Sequence, residues 1–241
     1  GMSSYYKQFS LVEIQSTFYN IPRLETVERW RQEASEGFEF VPKAFQGITH
    51  PSSSPTWRRF RGKLHGAHKD STGYGFLKPT DEVIDCWTTT MEICRRLRAE
   101  AILVQTPPNF GASALNVSNM ERLLTGVERK GLVVCWEPRG DWNENSDKIR
   151  KVCSELDLVH VVDVMRREPV STHEVSYVRL HGLNQREFDY KYEYSDQELL
   201  RLKAKILRLE ENSRKVYVLF NNTNMAADAR RLKQIIFWKD R

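Results

Sequence analysis

The amino-acid sequence predicts an α/β fold of parallel strands, a TIM-like (β/α) barrel with seven strands in view. Three observations carry that expectation. Short apolar runs recur along the chain, unbroken rather than alternating and rich in Val, Ile and Leu, as strands covered on both faces require. Helical patterns follow most of the runs, which is the order of a parallel sheet. Polar or charged residues close the runs, and the strand ends of a barrel are where its active sites are built.

The runs, in order, are Leu11–Ile14, Phe38–Val41, Ala101–Val104, Leu132–Trp136, Leu158–Val164, Ser176–Leu180 and Val216–Phe220. Tyr5–Phe9 reads as the end of a helix ahead of the first of them. Further helices are expected over Leu24–Ala34, Asp81–Arg98, Asp147–Leu156 and Met225–Ile236. Ser118-Asn-Met-Glu121 and Ser195-Asp-Gln-Glu198 both have the spacing of a capping box. Behind Ser195, the residues Leu199, Leu202, Ile206 and Leu209 recur at helical spacing and predict an apolar stripe against a sheet. Residues 45–80 break the rhythm with His50-Pro51, consecutive serines, Pro55 and several glycines, and predict a long loop. Without repeats or a low-complexity linker, residues 2–241 read as a single domain. A doubly wound open sheet is the alternative, but no Gly-rich phosphate loop follows the first run, which weighs against a dinucleotide-binding sheet.

Composition bounds the function. Hydrophobic residues make up 40% and charged residues 29%, a globular balance rather than a disordered one. No apolar run approaches the ~20 residues of a membrane span, so no membrane partner is expected. Cys86, Cys94, Cys135 and Cys153 form no C-x-x-C pair and accompany no secretion signal, so they read as reduced and buried in a cytoplasmic protein. The net charge of +5 favours anionic partners mildly. Nothing in the sequence calls for a cofactor, and the oligomeric state is left open.

The residues that close the runs are Glu13, Lys43, Gln105, Glu137 with Arg139, Asp163, Arg179 with His181, and Asn221 with Asn222. On one face of a barrel they would supply the acids, bases and amides that acid–base or phosphate chemistry needs. Glu13, Lys43, Glu137 and His181 are the expected catalytic residues. His50, Gln105, Arg139, Trp142, Arg179, Gly182, Asn221 and Asn222 are expected to bind substrate, a small anionic molecule. Gly182 admits a close backbone approach, and the Asn221–Asn224 run opens the last helix, where free amide N–H groups would favour an anion. Structural alternatives stand beside these readings: buried ion pairs Glu13–Lys43 and Glu137–Arg179, helix capping by the Asn run, and Phe18, Tyr19 and Trp142 as loop anchors. An oxygen-rich metal site from Glu13, Glu137, Asp163 and His181 is weaker, since nearby cations compete for the carboxylates. His65 and His68 have an i,i+3 spacing but no third ligand in sequence.

Several of these segments resemble one family. Val12-Glu13-Ile14-Gln15-Ser16-Thr17-Phe18-Tyr19, Phe38–Lys43 with Ile48-Thr49-His50, and Gln105-Thr106-Pro107-Pro108-Asn109-Phe110 are similar to its early signatures. Glu137-Pro138-Arg139 with Trp142, Val178-Arg179-Leu180-His181-Gly182 and Phe220-Asn221-Asn222 resemble later ones, in the same order along nearly the whole chain. The family is the domain of unknown function 72, the YecE-like proteins. The resemblance implies a TIM-like barrel and sharpens the site map without supplying a reaction. Gln15 stands where the family has Asn, Pro138 where it has an aromatic, and Gly140 where it often has His. The family's first strand, with its Gly-Thr-Ser-Gly-Trp-like segment, has no counterpart here, so the resemblance implies a barrel with an open edge, and such an edge invites pairing with another chain.

The leading expectation is therefore an enzyme-like barrel acting on a small anionic or phosphorylated substrate by hydrolysis or isomerisation. A nucleic-acid-binding or processing protein is the second reading, resting on Trp57-Arg58-Arg59-Phe60-Arg61-Gly62-Lys63. A non-catalytic scaffold barrel is the third.

Overall fold

The computed structural model describes residues 2–62, 64, 71–187 and 189–237. By its internal contacts the chain divides into two compact units, residues 1–158 and 159–241.

The first unit runs α1 (Met2–Gln8), β1 (Leu11–Ile14), α2 (Ser16–Tyr19), α3 (Leu24–Glu33), β2 (Glu39–Pro42), α4 (Gln46–Thr49), α5 (Asp81–Leu97), β3 (Ala101–Gln105), α6 (Ala114–Gly126), β4 (Val133–Glu137) and α7 (Ser146–Leu156). Single 3₁₀ turns lie at Pro55–Arg59 and Gly140–Glu144. β1 pairs with β2 and β3 with β4, both parallel. An isolated parallel bridge, Lys43 to Leu103, and the hydrogen bond from Ala44 N to Leu103 O (2.8 Å) continue the order from β2 to β3. Tyr6, Val27, Phe38, Phe40, Ile93 and Leu97 form a core cluster that anchors α1, α3 and α5 to β2.

The second unit opens within β5 (Leu158–Val162) and continues with β6 (Val175–Leu180), α8 (Asp196–Glu210), β7 (Lys215–Phe220) and α9 (Met225–Phe237). β5 pairs with β6 and β6 with β7, again parallel. The expected stripe of α8 is in place: Leu199, Leu202 and Ile206 are buried against Val178, Leu180 and Leu232, with Leu209 packed at the margin. Burying each of the three contributes about 1.5–3 kcal/mol. At Ser195 the capping box is complete: the side chain accepts from Glu198 N, and Glu198 accepts from Ser195 N.

All seven expected strands form, and β3 and β4 extend to include the polar residues that close their runs. The four cysteines are free and buried. Among the described residues no helix is long and apolar enough to cross a membrane.

Two expectations need correction. Ser118 does not start a helix: α6 begins five positions earlier, where Ser113 caps it by accepting from Asn116 N. Within its described residues the expected long loop over 45–80 is interrupted by α4 and the 3₁₀ turn at Pro55–Arg59. Residues 41–50 are buried throughout, α4 lies within them, and Trp57 packs its ring against Phe45, Phe60 and Tyr74. His65 and His68 fall outside the described residues.

Candidate functional site

Register and the alternation of side chains decide which strand-end residues share a face. In the first unit Glu13 lies beside Val41, Lys43 beside Leu103, Leu103 beside Cys135, and Gln105 beside Glu137. Successive residues of a strand point to opposite faces. Glu13, Lys43, Gln105 and Glu137 therefore project from one face, Glu13 lowest and Gln105 with Glu137 highest. Cys135 shares that face: burial, with the charge of Glu13 second, raises its thiol pKa.

The contacts among these side chains are specific. Lys43 Nζ donates to Gln105 Oε1 at 2.8 Å and sits 4.2 Å from the centroid of the Phe18 ring. This ring meets the His50 ring edge-on, with centroids 4.9 Å apart. Thr17 links the β1 and β2 ends, its Oγ1 lying 2.7 Å from both Ile14 O and Lys43 O, which share its one hydroxyl proton. Glu13 accepts from the amide of Gln15. Arg139 Nη2 pairs with Glu137 Oε1 at 3.2 Å. Glu13 is half-buried, whereas Lys43, His50, Gln105, Glu137 and Arg139 are each no more than 8% exposed. Buried charges in such number need partners, and the partners keep them in fixed positions. His50 is held down to about 3 by burial first, then by Lys43 and Arg139, so it carries no charge near neutrality.

Trp142 does not line a binding surface. It is fully buried, donates to Phe110 O at 2.7 Å and meets Trp136 edge-on at 4.9 Å, so it anchors the turn after β4. Phe18 likewise is a buried wall, and Tyr19 is covered by Arg59, 4.8 Å from its ring centroid. In the basic stretch Arg58, Arg59 and Arg61 are exposed, Trp57 is buried, and Phe60 is half-buried against Phe45 and Trp57, which leaves only part of one ring for stacking on bases. Lys63 lies outside the described residues.

In the second unit Arg179 Nη1 lies 3.3 Å from His181 Nε2, and both residues are buried. Asp163, at the end of β5, accepts from His181 N and Met165 N, each at 3.0 Å. Burial raises its pKa, and those amides pull the other way.

Gly182 serves packing rather than a ligand. At φ +99° a Cβ would overlap the Cβ and ring of Tyr192. Its N–H donates to Tyr194 Oη at 3.0 Å and its carbonyl accepts from Arg166. The Asn run is also largely structural. Asn222 donates to Tyr192 O and to Asp228 Oδ2, both at 2.7 Å, while Asn224 and Arg231 donate to Asp228 Oδ1. The amides of Met225, Ala227 and Asp228 bond within the turn. A buried carboxylate at the start of α9 disfavours an anion there, so the expected anion site at this helix start is not formed by Asn222. Asn221 is half-buried, with its amide bonded to Leu180 O.

Sequence reasoning missed Gln15, Thr17 and Asp228. Only Asp228 left a signal, the Asn224–Asp228 and Asp228–Arg231 spacings on one helix. Among the described residues no three His, Cys, Asp or Glu groups gather as metal ligands.

The family "Protein of unknown function DUF72" matches residues 1–238. The chain belongs to the DUF72 family. It is 25% identical to the UPF0759 protein YunF of Bacillus subtilis (strain 168) over 257 residues, 95% of this chain and 82% of YunF. Among solved structures, a DUF72 family protein of Enterococcus faecalis V583 is similar with a TM-score of 0.71 at 20% identity, over 99% of this chain and 94% of that one. A xylose isomerase domain containing protein of Salmonella typhimurium LT2 is more distant, with a TM-score of 0.52 at 14% identity over 97% of this chain and 89% of that one. These likenesses establish an α/β fold with parallel strands for this DUF72 chain, and its strand-end residues lie on that frame.

Proposed function

We propose that this DUF72 protein is a (β/α)-barrel enzyme that performs acid–base chemistry on a small anionic, phosphorylated or carboxylated substrate. One observation carries the reading: Glu13, Lys43, Gln105 and Glu137 project from one face at the carboxyl ends of four successive parallel strands. Active sites of barrels occupy that end of the strands. The fold likeness to the xylose isomerase domain containing protein supports the architecture alone.

In this reading Lys43 and Arg139 attract the anion. Lys43, fixed by Gln105, stabilises negative charge as it develops. Glu137 or Glu13 takes and returns the proton. Hydrolysis and isomerisation both use such a set. In the second unit, Arg179 and Asn221 form a separate candidate contact for an anion.

Thermal melting with added phosphate at fixed ionic strength tests the reading. Ligand that binds only the folded state raises the melting temperature by mass action, by about 2.7 kcal/mol of stability at a hundred times Kd. The wild type should gain stability and Lys43→Met should not. No gain in either protein would overturn the anion reading.

A further inference from the structure

The hydrogen bonding of Thr49 and His50 fixes which ring nitrogen of His50 carries the proton. Thr49 is fully buried, and its Oγ1 lies 2.8 Å from His50 Nδ1. A buried hydroxyl hydrogen without an acceptor is costly, by the desolvation of that group. Nδ1 is the acceptor within reach of this hydroxyl among the described residues. When Thr49 donates to Nδ1, the ring proton must sit on Nε2. The opposite arrangement leaves the Thr49 hydrogen unmatched. Nε2 meets no hydrogen-bonding partner among the described residues, although His50 is only 5% exposed.

We propose that His50 is the electrophile of the site, donating its Nε2–H to the carbonyl oxygen of a small hydroxy-carbonyl anion, so that the reaction is proton transfer next to that carbonyl: an isomerisation. The proposal rests on the acid–base reading above and deepens it. The placement explains why this donor is an imidazole. The Lys43 ammonium lies over the Phe18 ring, which meets the His50 ring near a right angle, and the charge of Arg139 also reaches His50. A third cation there would be repelled. An uncharged donor adds little attraction for the resting anion and gains strength as its oxygen becomes negative, which is the differential binding that catalysis needs.

The step balances within the substrate and one carboxylate. Glu137 or Glu13 removes the proton from the carbon next to the carbonyl, and the C–H electron pair becomes a C=C bond. The carbonyl π pair moves to oxygen, which His50 Nε2–H and Lys43 hold. The carboxyl returns its proton to the former carbonyl carbon, and the hydroxyl proton passes between the two oxygens, so carbonyl and hydroxyl exchange places with no redox partner. An imidazole donor kept neutral for such a task is a known chemical device in other enzymes.

The test uses glycolohydroxamate, a planar mimic of the enediolate, with glycolate as its non-planar counterpart, and nitrogen NMR of histidine-labelled full chain. The His50 resonances, identified by their loss in His50→Gln, should report Nε2–H and an unprotonated Nδ1 at neutral pH. Glycolohydroxamate should shift them and bind about a hundredfold or more tightly than glycolate. His50→Gln, whose amide reaches the Nε2 position, should retain much of that preference, and His50→Asn, which reaches only Nδ1, should lose it. An Nδ1–H or doubly protonated ring overturns the proposal in the wild type alone, whatever the variants do. Equal binding of the two probes also overturns it; if phosphate still stabilises the wild type, the anion reading survives that failure. Absence of phosphate stabilisation with both probes silent overturns the two together.

Discussion

Lys43 illustrates how a single buried charge is held at a strand end. Its ammonium has an amide oxygen at 2.8 Å and an aromatic face at 4.2 Å, so its position is set by partners from β3 and α2 rather than by its own flexible stem. Gly182 is fixed differently, by the absence of a side chain. Gly182→Ala must accommodate both a positive φ of +99° and the ring of Tyr192, and should destabilise the protein by about 1–3 kcal/mol in urea unfolding. An unchanged midpoint would mean that Tyr192 moves freely. Asp163 carries a pH signature. Burial raises its folded pKa, so the folded state holds the proton more tightly than the unfolded chain. Its contribution is therefore complete below the unfolded pKa and is lost as pH rises through the raised folded value. Asp163→Asn has no such titration. Its urea midpoint relative to wild type should improve as pH rises through and above the ordinary aspartate range; a gap that stays constant with pH would contradict the assignment.

At the scale of elements, periodicity made the strands legible because strands covered on both faces must be apolar throughout. The run closures were legible for the same reason: a charge is tolerated only where the strand leaves the core. Helix starts were less so. Ser195 and Ser118 have the same sequence spacing, but a Ser–x–x–Glu pattern also fits the exposed face of a helix already under way. What starts α6 is Ser113, together with the Asn116 amide bonded to Gly111 O at 2.8 Å. Ser113→Ala and Ser195→Ala should each cost about 1 kcal/mol, whereas the exposed Ser118→Ala should stay within about 0.5 kcal/mol. Equal costs in chemical denaturation would return the start of α6 to Ser118. The Tyr192 ring beside Gly182 was not legible, since packing across the loop creates it; the Gln15 amide on Glu13 is local, but no i,i+2 pattern marks it, and Asp228 showed only its helical spacing to Asn224 and Arg231 and not its bond to Asn222.

For the whole molecule, the +5 charge says less than the placement of a few charges. Much of the basic surface is paired locally on helices, as in Glu92 with Arg95 and Arg96 and Asp147 with Arg150. Such exposed pairs contribute about 0–1 kcal/mol and name no partner. The informative charges are the buried ones at the strand ends of the first unit. Calorimetric titration of phosphate at fixed ionic strength into the wild type, Lys43→Met and Glu137→Gln tests that account directly, because the two substitutions should act in opposite directions. Lys43→Met removes a cation and should weaken binding about tenfold or more, near 1.4 kcal/mol. Glu137→Gln removes the carboxylate beside Arg139 and should tighten it. Affinities that move together, or do not move, would contradict an anion site at these strand ends.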